Sequence, residues 1–123
     1  MVAILLSEPT AYRLVEAVAA ATRRLIGAPS LVETSAVMLG RKGPQGDIAL
    51  SALLRSLDIE VAGMTEGAAG LARAAYARFG KGVGDPAVLN FGDCLAYGIA
   101  MDLDEPLLFV GDDFARTDVR SAL

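Results

Sequence analysis

Three stretches each place acidic residues in an otherwise apolar setting. PSLVETSAVML (residues 29–39) contains Glu33, LNFGDCLAYGIA (89–100) contains Asp93, and PLLFVGDDF (106–114) carries Asp112 and Asp113. Taken singly, the first two read as helix caps. Ser30 and Glu33 match the capping box S-x-x-E, in which the glutamate reaches back to the Ser30 amide. Asn90 and Asp93 have the same register, with Asn90 as the cap and Asp93 favoured by the helix dipole. Taken together, the three stretches have a chemical reading. In an open parallel α/β sheet, helix N-termini and strand C-terminal ends share one edge, where ligands bind. Glu33 and Asp93 would each begin a helix and Asp113 would follow a strand over 107–110, so three carboxylates from distant positions would converge. Carboxylates brought together repel one another unless Mg²⁺ or Mn²⁺ sits between them. Such a site orients a water and stabilises a phosphodiester under attack.

Composition narrows the alternatives. The chain has 123 residues, enough for one domain with a modest core, and 54% of them are apolar, which excludes disorder. One cysteine, Cys94, excludes an internal disulfide, and the absence of histidine removes Ser-His, Cys-His and Cys/His zinc chemistry. Carboxylate, lysine, hydroxyl or an oxygen-held metal ion remain. A net charge of −4, from 11 basic and 15 acidic residues, lacks the basic footprint of a nucleic-acid binder. That charge is also what a carboxylate metal site would carry before its ions neutralise it. No segment is long enough to span a membrane. The opening MVAILL has no basic region before it and stops at Ser7, Glu8 and Pro9, so it is not read as a signal peptide and a cytoplasmic location is expected.

The elements that must position these residues follow from periodicity. Helices are expected over residues 10–21 (Leu14, Val15 and Val18 on one face), 30–39 (ended by Gly40 with Gly43-Pro44), and 47–57 (a stripe of Ile48, Leu50, Leu53, Leu54 and Leu57). Two more are expected over 65–79, with Leu71, Ala75 and Tyr76 inward and Gly80 as the stop, and over 90–101. Short apolar runs at 24–28, 59–64 and 106–110 read as strands. Strands alternating with helices, without linker or repeat, predict a single α/β domain with a mostly parallel sheet covered on both faces.

Other features read as structure. The loop GKGVG (80–84) lacks the Ser/Thr that a phosphate-binding loop needs after its lysine, so it reads as a surface loop, with Lys81 as a candidate phosphate contact. Cys94 reads as a small core residue. Tyr97, one turn after Asp93, reads as packing, and the pairs Arg23-Arg24 and Arg41-Lys42 as solvated surface.

With these residues in view, the chain resembles the PIN-domain ribonucleases and, among them, the VapC-type toxins of toxin–antitoxin pairs. The stretches that carry the resemblance are APSLVETSAVML (28–39), YARFGKG (76–82), LNFGDCLAYGIA and EPLLFVGDDFARTDV (105–119), and it covers essentially the whole chain. It implies a three-layer α/β/α fold and about four acidic residues binding Mg²⁺ or Mn²⁺ for RNA cleavage. By the resemblance, Glu33 matches the family's second acidic position, Asp93 its third and Asp113 its fourth, with Asp112 as the neighbouring ligand candidate. Thr117 and Asp118 match a Thr-Asp pair that supports the site. The family's first acidic residue belongs to an opening strand ending in a D-T-S-like turn. MVAILLSEP corresponds to the stretch just after it, so that strand and its carboxylate are expected to be missing.

The resemblance therefore implies a metal-dependent endoribonuclease toxin, restrained by a VapB-type antitoxin and homodimeric. The expected loss of one carboxylate, and GVGDPAV where relatives carry basic residues, motivate a second reading: a catalytically silent PIN scaffold that still captures the antitoxin. A signalling receiver domain shares the α/β class, but it wants its acidic pair after the first strand and a lysine after the last. Here GDDF follows the last strand.

Overall fold

The computed structural model describes residues 1–81, 89–109 and 112–123. Its contacts divide the chain into two compact units, Met1–Ala62 and Gly63–Leu123.

The first unit runs α1 (Val2–Leu5), α2 (Ala11–Ala20), β1 (Leu25–Gly27), α3 (Ala28–Lys42), α4 (Pro44–Ser56) and β2 (Glu60–Ala62). Helix α2 turns Leu14 and Val18 inward, as its spacing predicts. Strands β1 and β2 pair in parallel with Ile26 opposite Val61, giving the expected α/β class with a parallel sheet. Arg24 ties the ends of two helices of this unit together. Its guanidinium donates to the carbonyls of Ala19 and Ala21 at the end of α2 and of Leu57 at the end of α4, at 3.0, 3.3 and 2.9 Å. Helix C-terminal carbonyls lack intrahelical partners and carry partial negative charge, so one cation satisfies two helix ends. The expectation that Arg24 is solvated surface is thereby corrected.

Helix α3 departs from expectation at both ends. It starts at Ala28 with Gly27 as its cap and Pro29 in the first turn, so Ser30 is the third helical residue and not the cap. Pro29 fixes the backbone dihedral a first turn needs and sacrifices only an amide that would lack a partner there. Gly40 does not stop the helix, because a helical glycine costs only about 1 kcal/mol. Gly43 stops it, with φ 66° and ψ −158°, a conformation open essentially to glycine alone. The next helix begins at once with Pro44. Gly46 then lies against the Met38 carbonyl and Leu50 is buried one turn on, which leaves Ile48, expected inside, 58% exposed. The Ser35 hydroxyl donates to Asp47 at 2.5 Å and fixes α3 against α4.

The second unit is built on α5 (Glu66–Phe79) and α6 (Phe91–Leu103), followed by a 3-10 turn, Phe114–Arg116. Thr65 caps α5 by accepting from the Ala68 amide and donates to Asp102 near the end of α6 at 2.7 Å. The buried face of α5 is Ala68, Ala72, Ala75 and Phe79, at helical spacing. Leu71 and Tyr76, expected inward, are exposed. The reason is steric. Gly98 of α6 sits so close to the Ala68 carbonyl and Ala72 that only small side chains fit between the helices.

The strand expected over 106–110 is also corrected. Leu107 forms an isolated parallel bridge with Ser121, and no regular strand includes its neighbours among the described residues; Val110 lies outside them. Phe109 instead packs on the core cluster of Ala75, Phe79, Leu89, Cys94, Tyr97, Ala100, Phe114 and Val119. The loop expected after Gly80 falls largely on residues 82–88, outside the described residues. Among the described residues, no helix is long and apolar enough to cross a membrane.

The close approach of α5 and α6 has a measurable consequence. Gly98→Ala drives a methyl group into α5 and should lower stability by about 1–3 kcal/mol. Gly70→Ala, on the exposed face of the same helix where a Cβ meets nothing within 4 Å, should raise it by about 0.4–1 kcal/mol. Chemical denaturation of the two variants against the parent checks both signs.

Candidate functional site

Asp93 is the third residue of α6 and completes a full capping box. Its carboxylate accepts from the Asn90 amide at 3.2 Å while the Asn90 side chain accepts from the Asp93 amide at 2.8 Å. The cap predicted from Asn90-x-x-Asp93 is thus formed, and it fixes the carboxylate half-buried at the first turn. The residue after it, Cys94, is fully buried in the core cluster. Burial, with the Asp93 charge beside it, pushes the Cys94 thiol up. The thiol therefore stays protonated at neutral pH and inert, the small core residue expected.

Glu33 has a different setting. Because α3 begins at Ala28, Glu33 lies in the second turn and is exposed, and α3 has no side-chain cap. The capping-box role expected for it is not formed. Glu33 belongs to the first unit, and Asp93, Asp112 and Asp113 belong to the second.

Asp112 and Asp113 are exposed and immediately precede the 3-10 turn. Asp113 stands at the capping position of that turn without making a side-chain cap bond. What fixes it is its neighbour. Phe114 is buried in the core cluster, its ring 5.3 Å from that of Phe109. The expectation that a strand end delivers Asp113 is replaced by a buried aromatic that holds the turn.

Thr117 and Asp118 shape the segment beyond. The Thr117 hydroxyl donates to the Phe114 carbonyl at 2.7 Å and accepts from the Val119 amide at 3.3 Å, closing the turn on itself. Asp118 accepts at 2.5 Å from the hydroxyl of Tyr97, whose ring is buried against the edge of Phe79 at 6.0 Å. The other Asp118 oxygen lies 3.7 Å from the Arg78 guanidinium, but both side chains are largely exposed, 63% and 48%. An exposed pair of this kind contributes about 0–1 kcal/mol. The Tyr97 hydroxyl is the stronger tether. Tyr97 therefore both packs and bonds, which its reading as packing alone missed. A tyrosine on an apolar helix face was the available signal, because a buried hydroxyl usually finds a partner.

Lys81 is exposed, and its amide donates to the Leu89 carbonyl at 3.0 Å, next to the bridge between Gly80 and Leu89. That pairing places Lys81 beside the residue before Asn90, at the start of the helix that carries Asp93.

Carboxylate oxygens are the donor set a hard divalent cation takes, so Glu33, Asp93, Asp112 and Asp113 fit such an ion in chemistry. Among the described residues, no three His, Cys, Asp or Glu side chains stand together as a ready-made metal cage. Within the second unit, Asp93 and Asp113 are nevertheless each one residue away from a member of the same buried cluster, Cys94 and Phe114.

The PIN-domain family model matches residues 1–120. The chain is similar to ribonuclease VapC28 of Mycobacterium tuberculosis, 45% identical over 123 residues that span all of this chain and 92% of the relative. It is also similar to ribonuclease VapC30 of the same organism, 40% identical over 119 residues, covering 97% of this chain and 90% of the relative. Ribonuclease VapC42 is 39% identical over 122 residues, covering 99% and 93%.

The Tyr97 tether predicts a pH dependence. Burial first, then the bond to Asp118 and the charge of that carboxylate, push the Tyr97 hydroxyl up to about 12 from an ordinary value of 10.0, against a smaller opposing pull from Arg78. Between these values the unfolded chain has lost the proton that the folded chain keeps, so the stabilisation is whole below pH 10 and disappears as pH rises through about 12. Melting curves from pH 9 to 12 should show the parent losing stability more steeply than Tyr97→Phe; parallel curves would contradict the tether.

Proposed function

The chain belongs to the PIN-domain family, and from that premise we propose that it is a metal-dependent endoribonuclease, the toxin of a toxin–antitoxin pair. Glu33, Asp93 and Asp113 are the proposed ligands and catalytic carboxylates, with Asp112 beside them, Thr117 and Asp118 as support, and Lys81 as a contact to an RNA phosphate. The observation that carries this reading is the shared foundation of Asp93 and Asp113. Each is fixed by the residue after it, and both of those residues are buried in one cluster.

A bound Mg²⁺ or Mn²⁺ would supply charge neutralisation and a water acidic enough to attack at neutral pH. The chain's own residues do the rest. Asp93 is held rigid by its cap, so its carboxylate loses little freedom when it takes up a ligand role. Asp113 stays accessible while Phe114 fixes its backbone. Lys81, at the start of α6, offers a cation to a phosphate of the RNA. Water would add to the phosphorus of the phosphodiester as the bond to a ribose oxygen breaks, and the proton lost by the water would end on that departing oxygen. With no histidine in the chain, no imidazole is available to activate that water.

The proposed partners are a VapB-type antitoxin and a second copy of the chain, and the proposed place of action is the cytoplasm, where such substrates are. Helix α3 presents Val32 and Leu39 to solvent, 69% and 45% exposed, which supports an apolar surface for a partner to cover. The alternative is a silent scaffold that binds antitoxin without cleaving RNA.

A single assay separates the two. RNA cleavage is measured for the parent and for Asp93→Asn, with Mn²⁺ and with the metal removed by chelation. Asparagine keeps an oxygen for the Asn90 amide, so the cap survives and only the charge is lost. We expect metal-dependent cleavage that falls about 10²–10³-fold in the variant, the equivalent of a few kcal/mol of lost charge stabilisation. No cleavage by the folded parent at any Mn²⁺ concentration would select the scaffold.

A further inference from the structure

We infer that Tyr97 is a positioning residue of the proposed active site: by donating to Asp118 it fixes the segment carrying Asp113 against the helix carrying Asp93. This inference rests on the proposed role of those two carboxylates and adds a residue that neither motif nor family resemblance assigns.

Tyr97 lies four residues after Asp93, hence about one turn further along α6 and close to the same face. Its ring is fixed by burial and by the edge contact with Phe79, so the hydroxyl oxygen is a rigid point on α6. Asp118 lies five residues after Asp113, beyond a turn that Thr117 closes through the Phe114 carbonyl. A 2.5 Å bond between that rigid point and Asp118 joins the two elements across 21 positions of sequence. Phe114 and Val119 attach the segment to the core by packing, which sets its position but leaves the turn between them free to rock. The bond to Asp118 removes that freedom. The Arg78 pair is too exposed to replace it.

The placement also assigns Asp118. One of its oxygens accepts from Tyr97 and the other faces Arg78, so this carboxylate acts through position and not as a ligand. Groups that orient ligands in this way typically change metal affinity or activity by 10–100-fold when removed.

The test uses the full chain. Tyr97→Phe keeps the ring against Phe79 and deletes one oxygen; Asp118→Asn keeps an acceptor for Tyr97 and deletes the charge. Mn²⁺ binding is read directly from the electron paramagnetic resonance signal of the free ion, and kcat and KM for RNA are measured separately at saturating Mn²⁺. Tyr97→Phe should raise the Mn²⁺ dissociation constant about tenfold or more and lower kcat, with KM for RNA unchanged. Asp118→Asn should lose less. A merely structural tyrosine would lower the melting temperature and leave the Mn²⁺ constant of the folded protein where it was, and that result overturns the inference. Greater damage in Asp118→Asn than in Tyr97→Phe also overturns it, because Asp118 would then touch the ion itself. Asp93→Asn serves as the reference. If it too binds Mn²⁺ like the parent, the metal-site reading has failed and takes the inference with it. If it loses Mn²⁺ while Tyr97→Phe does not, the inference alone has failed.

Discussion

The contact between Gly98 and the Ala68 carbonyl is the constraint on which the second unit depends. It brings the backbones of α5 and α6 closer than any side chain at position 98 would allow. Everything larger must therefore pack at the rims of this contact. Phe79 and Tyr97 meet edge to face at one end, and Thr65 bonds to Asp102 at the other. The C-terminal segment then packs against the rim that Phe79 and Tyr97 form. Phe114 and Val119 enter the same buried cluster, and Arg120 donates to the Asp104 carbonyl at the end of α6 at 2.7 Å. Two acidic residues ride on this arrangement, each beside a residue that cannot move without opening the core. Close packing fixes the backbone from which these two carboxylates extend.

The first unit solves a related problem with charge. Helices α2 and α4 both end near the start of the sheet, and their free carbonyls would repel one another. Arg24 bonds to both ends and its own carbonyl accepts from the Glu60 amide at 3.0 Å, so one residue connects two helices and the pairing of β1 with β2. Helix α3 leaves β1 without a connecting loop, and that places Glu33 in the second turn on the solvent side.

Much of this was legible in the sequence, and the failures share a cause. The existence of α2 to α6, the parallel α/β class and the cap at Asn90 and Asp93 all follow from local chemistry, which a short window of residues contains, whereas α1 was not expected. The inward face of α5 does not. Hydrophobicity favours Leu71 and Tyr76, but beside Gly98 the partner helix admits only alanines, a fact written on α6 and not on α5. Ser30 and Glu33 fit a capping box by type and spacing, yet Pro29 and the preceding strand start the helix two residues earlier. The run 106–110 looks like a strand because its residues are apolar, whereas among the described residues its pairing is a single bridge from Leu107 to Ser121. A buried tyrosine signals that its hydroxyl has a partner, but that the partner is Asp118, 21 positions on, is written in no local window. Asp93 answers both readings of its stretch: it is a cap by geometry and, in the proposed function, a ligand by the same geometry.

The proposed function turns on whether Asp93 and Asp113, both carried by the second unit, hold a divalent ion. The most direct measurement is a crystal structure of the chain grown with Mn²⁺, with anomalous scattering recorded at the manganese edge. The expected result is an anomalous peak within bonding distance of carboxylate oxygens of Asp93 and Asp113, with Asp118 still bonded to Tyr97 and outside the ligand sphere. A folded, Mn²⁺-soaked crystal with no peak at these carboxylates, or with the ion held by other residues, would contradict it.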